Sequence, residues 1–162
     1  MKKFQAIVIL IIYGLSFGLM SCSNDDENTN DSNQSADQTI AQVEDTVEAG
    51  TWRISKYIDS GDDETNDYNG FSFSFNADGT LDATNDIMTV SGIWSVTDSS
   101  SNSSDDSSDD DDVDFNIFFA SPALFSELSD DWDILSRTAS KLELKDVSGG
   151  NGGTDLLTFV KN

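Results

Sequence analysis

From Trp52 to the end of the chain, apolar and polar residues alternate with a period of two, in short runs separated by turn residues. Successive side chains of an extended strand point to opposite faces, so this period predicts strands buried on one side. Eight runs fit: 51–58, 70–75, 79–84, 88–96, 113–119, 132–138, 140–147 and 155–161. The pattern is clearest where Phe71, Phe73 and Phe75 share a face opposite Ser72 and Ser74, and where Val113, Phe115, Ile117 and Phe119 share another. Those faces are the expected core. With almost no helix between them, such strands form an antiparallel meander that either closes into a barrel or folds into a sandwich.

The connections agree with this reading. Asn76-Ala77-Asp78-Gly79 offers a hairpin turn with glycine at a positive φ, and 148–153 is a glycine-rich loop. One helical turn is expected at Ser121-Pro122-Ala123-Leu124-Phe125, with the serine as cap and the proline at the first helical position. Upstream of Trp52 the period is 3.6: Ile40, Val43 and Val47 form one stripe of a short helix, and Gly50 stands where a C-terminal glycine belongs. Order is expected to begin at about residues 35–37, which makes 37–162 the folded domain and this helix a lid.

The N-terminus carries an address. Lys2 and Lys3 precede a short apolar run, 6–15, broken by Gly14, Ser16 and Gly18, which is too short to span a bilayer as a stable helix. Leu19-Met20-Ser21-Cys22 resembles the bacterial lipobox, in which the cysteine is acylated and becomes the new N-terminus. The alternatives are an ordinary signal peptide with a cysteine beside it, or a signal anchor. Two or three acyl chains on one cysteine anchor durably, where one does not. The reading is a signal peptide over 1–21, Cys22 as lipid attachment site, and a disordered acidic tether over 22–36 without aromatic residues. Ser23-Asn24-Asp25-Asp26-Glu27 is similar to the surface-export signal of one Gram-negative phylum, and is otherwise the start of a polar spacer. The expected location is the outer membrane of a Gram-negative bacterium, exposed on the cell surface.

Charge and inventory exclude several functions. Removal of residues 1–21 takes away Lys2 and Lys3 and leaves six basic residues against 31 acidic ones, a formal charge of −25. Such a surface repels nucleic acid and attracts cations. The chain has no histidine and a single cysteine, so a His/Cys zinc site, a Ser-His-Asp triad and a disulfide framework are ruled out. No carboxylate pair is marked as catalytic, and neither an enzyme nor a cofactor is expected.

Ala49-Gly50-Thr51-Trp52-Arg53-Ile54, at the head of the first strand and behind a short helix, resembles the Gly-x-Trp signature of lipocalins and fatty-acid-binding proteins. The wider pattern, with 127–132 and 147–155, resembles small lipocalin-like bacterial surface lipoproteins over about residues 49–162. The resemblance implies an all-β, eight-stranded up-and-down barrel with Trp52 plugging one end beneath the helix. In lipocalins an arginine near the last strand covers that tryptophan, and here Lys161 stands closest to its place. Gly92-Ile93-Trp94 repeats the Gly-x-Trp spacing in the fourth strand.

The resemblance also implies a small apolar or mixed ligand in the barrel, with Phe71, Phe73, Phe75, Trp94 and Phe115 as lining residues. The opposing expectation is that Trp52, Trp94 and Trp132 are core packing and that the phenylalanines fill the barrel themselves. The protein is then a surface adhesion or assembly subunit with no small-molecule ligand. Two acidic stretches, 59–69 and 97–112, lie between strands. Each reads as a solvated charge run with weak calcium binding as a secondary expectation, and 97–112 reads as a disordered loop insertion.

Overall fold

Alternating strands with one apolar face need a partner surface, and in this chain the sheet supplies its own by curling until its first and last strands meet. The computed structural model describes residues 31–98, 113–147 and 153–162. Its elements are helix α1 (Asp31–Glu48), strand β1 (Trp52–Asp59), a two-residue strand β2 (Asp62–Asp63), a 3-10 turn (Thr65–Tyr68), β3 (Ser72–Phe75), β4 (Thr80–Thr84), β5 (Thr89–Asp98), β6 (Val113–Phe118), a short helix α2 (Ala123–Ser126), β7 (Asp130–Thr138), β8 (Lys141–Val147) and β9 (Thr154–Lys161). The eight barrel strands fall on the eight predicted runs to within two residues at each end.

All neighbours are antiparallel, in the order β1-β3-β4-β5-β6-β7-β8-β9, and β9 returns to pair with β1 from Trp52↔Lys161 to Ile58↔Leu156. The result is a closed eight-stranded up-and-down barrel with an N-terminal helix, the architecture that the lipocalin resemblance implies. Closure satisfies the backbone of both terminal strands, which would otherwise be exposed edges. The thinnest seam lies between β1 and β3, joined by the single pair Trp52↔Phe73. Bulges between Ile54 and Lys56 and between Ile134 and Ser136 interrupt the register.

Inside, the expected faces converge. Trp52, Phe73, Phe75, Leu81, Trp94, Phe115, Ile117, Trp132, Leu142, Leu144, Leu157 and Phe159 are all buried in one core. Each large side chain removed from water in this way contributes about 1.5–3 kcal/mol. Gly92 belongs to the inward face of β5, and a Cβ there would stand 2.5 Å from the Phe118 carbonyl oxygen and 2.6 Å from the Phe119 ring. The missing side chain of Gly92 is the space that Phe119 fills.

Two expectations are corrected. Helix α1 begins at Asp31, inside the stretch 22–36 read as tether. At α2, Ser121 does not cap: Pro122, reached through a cis peptide bond, is itself the cap residue, in extended conformation and without a side-chain capping bond. The stretch 59–69 keeps Asp62, Asp63 and Asp67 exposed, as expected of a solvated charge run, and is ordered. Its Thr65 hydroxyl accepts the Tyr57 N–H at 2.8 Å, Asp63 accepts the Thr65 N–H at 3.1 Å, and its Tyr68 is buried.

Candidate functional site

The five residues expected to line a ligand site divide in two. Phe75, Trp94 and Phe115 meet, with ring centroids 5.5 Å apart for Phe75–Trp94, 5.5 Å for Phe75–Phe115 and 5.8 Å for Trp94–Phe115. Phe159 closes the group at 5.4 Å from Phe75 and 5.3 Å from Phe73. Trp94 and Phe115 are stacked and the other pairs meet edge to face, and rings at these separations are in direct contact. Phe71 stands apart from them, half-buried against Phe125 at 5.0 Å. The rings therefore touch one another along the axis where a ligand would lie. Phe73, Phe75 and Phe115 line none of the four described cavities, all of which open to solvent.

Both ends of the barrel are covered. At one, α1 lays Val43 and Val47, fully buried, over the core, and the Trp52 indole N–H donates to the Val47 carbonyl at 2.8 Å, satisfying a helix end that would otherwise lack a partner. The Lys161 ammonium lies 5.0 Å from the centre of the Trp52 ring and donates to the Ala139 carbonyl at 3.1 Å. A lysine thus performs the covering role through a cation–π contact. Arg137 ties the helix to β7 by donating to the Gln42 carbonyl at 3.3 Å and the Thr46 hydroxyl at 3.2 Å.

The other end is closed by elements that alternation could not announce. Phe125 of α2 packs against Tyr68, Phe71, Phe73 and Phe119. Tyr57 and Tyr68, in edge contact at 5.4 Å, donate their hydroxyls to the Glu127 and Leu124 carbonyls, each at 2.7 Å. Burial, first of all, and nearby carboxylates raise both phenols far above the ordinary tyrosine range. They are permanent neutral donors in a wall.

The largest described cavity lies on the outside of the barrel, about 390 Å³, lined by residues 93–95 of β5, 116–118 of β6, Ser129 and Asp130. Ile93 and Phe118 are direct cross-strand partners and are 57% and 55% exposed, so two large apolar side chains stand together on a face that alternation reserves for polar ones. Asn116 is fixed beside them by donating to the Thr97 hydroxyl at 2.9 Å, and the Ser129 hydroxyl accepts the Phe119 N–H at 2.8 Å. The Asp130 carboxylate accepts the N–H of Asp131 at 2.9 Å. Its pKa is nevertheless pushed up to about 6, by burial first, with the Asp131 carboxyl and the charge of Asp146 adding to it. This outer cleft escapes the alternation pattern because Ile93 and Phe118 each adjoin an inward aromatic, Trp94 and Phe119. A pair of consecutive apolar residues in an otherwise alternating strand is the signal that could have found it.

Among the described residues, no group of three or more acidic or cysteine side chains is arranged to hold a metal ion, and no helix is long and apolar enough to cross a membrane. Cys22, the signal peptide, residues 23–30 of the tether, loop residues 99–112 and loop residues 148–152 lie outside the described residues.

No protein-family model matches the sequence, and no match is found among curated proteins. Among solved structures, the chain is similar to a DUF4847 family protein from Bacteroides vulgatus ATCC 8482, at 18% identity and a TM-score of 0.45, over 74% of this chain and 97% of that one.

Proposed function

We propose that this protein is an outer-membrane lipoprotein of a Gram-negative bacterium, tethered at the cell surface by acyl chains on Cys22, whose barrel is a self-filled scaffold that binds through its outer surface. The observation that carries the scaffold reading is the mutual contact of Phe73, Phe75, Trp94, Phe115 and Phe159 along the barrel axis. It favours an adhesion or assembly role over an internal carrier, since a carrier needs an interior of a few hundred Å³ that its own side chains leave open. Support for the tether comes from the position of Cys22, alone of its kind, behind a short apolar run. No catalysis and no cofactor belong to this reading.

Two measurements test it. Native mass spectrometry of protein gently extracted from membranes is expected to give the mass of the acylated chain and nothing more, and a stoichiometric bound lipid would revive the carrier. Cys22→Ala is expected to move the protein from the detergent-extracted fraction to the soluble one. Retention of an acylated, membrane-bound Cys22→Ala protein would overturn the tether.

A further inference from the structure

The barrel wall has a slot where β1 and β3 part. Trp52↔Phe73 is the one pair between these strands, and both side chains are fully buried on the inward face, so Arg53 and Ser72 stand outward on the two sides of the seam. Ahead of Ser72 the chain turns away through Gly70, at φ 86°, into the 3-10 turn. Strand β1 meets this segment again only at Tyr57, whose carbonyl accepts the Glu64 N–H at 3.1 Å and whose N–H donates to the Thr65 hydroxyl at 2.8 Å. Between those two points lies a cavity of about 190 Å³, with Ile54 and Phe71 as its floor and Arg53, Asn69, Ser72 and Asn162 around its rim. The rim has bonding capacity to spare. The Asn162 side-chain N–H groups reach the Ser72 hydroxyl at 2.7 Å and the Trp52 carbonyl at 3.3 Å, and the Asn69 amide donates to Asn66 at 3.1 Å. Among the described residues, the Ser72 proton and both asparagine side-chain oxygens have no further partner. Arg53 is the sharper case. Lys141 and Lys145 pair with Glu143 and Asp133, Lys161 covers Trp52, and Arg137 holds α1. Arg53 makes no ion pair and no side-chain hydrogen bond among the described residues, in a chain with 31 acidic residues against 8 basic ones, and no carboxylate side chain lines the slot.

We infer that the slot binds a small hydroxy-carboxylate, with its carboxylate on the Arg53 guanidinium beside the Ser72 hydroxyl, its own hydroxyls donating to the Asn69 and Asn162 oxygens, and its carbon skeleton over Ile54 and Phe71. A planar guanidinium matches a carboxylate with two parallel hydrogen bonds, and the two asparagine oxygens call for a ligand that also carries donors. The inference rests on the reading that the barrel is filled and binds through its outer surface. The net charge of −23 opposes an anion at long range. At 0.1 M salt, however, charges more than about 10 Å away are largely screened, so the guanidinium at the rim sets the sign of the preference.

Three sugars of nearly equal size and different charge test this: glucuronate (anion), glucose (neutral) and glucosamine (cation), titrated at about pH 6 into the full mature chain carrying Cys22→Ala and followed by amide chemical shifts. Glucuronate is expected to shift residues 52–54, 69–72 and 162 and to bind at least about fivefold more tightly than either analogue. Arg53→Gln, a change at an exposed position, is expected to remove that preference. Lys56→Gln removes an equal charge from the same strand at a residue that does not line the slot, and is expected to leave the preference intact, which separates the site from diffuse attraction to a cation. Equal affinity for the three sugars, a preference that survives Arg53→Gln, or an equal loss in Lys56→Gln would overturn the inference. Shifts centred on Phe75, Phe115 and Phe159 would show that the interior takes the ligand, and the filled-barrel reading would fall with the slot. Absence of shifts anywhere would overturn the slot and leave the filled barrel standing.

Discussion

Phe73→Ala separates a packed barrel from a hollow one. Phe73 is completely buried, pairs with Trp52 at the thin seam between β1 and β3, sits opposite Ala83 on β4, and places its ring 5.3 Å from Phe159 and 6.3 Å from Phe125. Truncation removes a ring of about 100 Å³, and at about 24 cal/mol per Å³ of unrelaxed cavity that costs ~2 kcal/mol. The lost apolar burial adds about 2 kcal/mol, for a total near 4 kcal/mol, inside the usual 3–5 kcal/mol of Phe→Ala in a core. Ala83 opposite cannot grow into the space, and the neighbouring Phe159 and Phe125 rings are held by contacts with further rings, so little relaxation is expected. Urea unfolding at an unchanged m-value of roughly 1.5 kcal/mol/M should show the midpoint fall by about 2–3 M. Phe73→Leu, which keeps most of the volume, should lose well under half as much, and it guards against a variant that fails to fold. A loss below about 1 kcal/mol for Phe73→Ala would mean that the ring already faced a void, and the filled barrel would be refuted.

Gly92→Ala is expected to destabilise by about 1–3 kcal/mol, since the new methyl group meets a backbone carbonyl at 2.5 Å as well as the Phe119 ring, and the carbonyl cannot rotate away; a urea midpoint equal to that of the parent would show that β5 and β6 pack less closely here. Asp130 predicts a pH effect of definite sign. Its folded pKa, about 6, lies above the ordinary 3.8, so the ionised carboxyl weighs against the fold as pH rises through 6 and costs nothing below 3.8. Asp130→Asn should therefore be more stable than the parent at pH 7.5, by roughly 1 kcal/mol once solvent screening of a half-exposed group is allowed for, and the difference should shrink toward pH 4. Urea melts at the two pH values check it, and a constant difference would refute the desolvated carboxyl.

The strand count, the positions of the strands and the identity of the core face were legible in the chain because a β-strand has a fixed period of two. Alternation alone assigns Phe73, Phe75, Phe115, Ile117 and Phe119 inward, and all five are buried. The lid helix was legible for the same reason at a period of 3.6, through Val43 and Val47. Trp52 at the head of the first strand is legible as a plug through the Gly-x-Trp resemblance, with Lys161 only the nearest residue to the place of a covering arginine; that Lys161 lies over the indole is shown by the cation–π contact.

What the period could not reveal is whatever depends on distance across the barrel. Alternation states that a ring points inward and is silent on whether it reaches the ring opposite, so filled and hollow barrels have the same sequence pattern. The separations of 5.3–5.5 Å between rings on strands two or three apart in the barrel decide that question. The same limit applies to Tyr68 and Phe125, which lie in segments with no period at all and close the barrel's other end through contacts far from them in sequence. It applies also to the outer cleft, where Ile93 and Phe118 are 25 positions apart in the chain and become neighbours only through the register of β5 on β6. Local residue order sets which face a side chain takes, because that is a property of one strand's backbone; register and closure set which side chains meet, because those are properties of several strands at once.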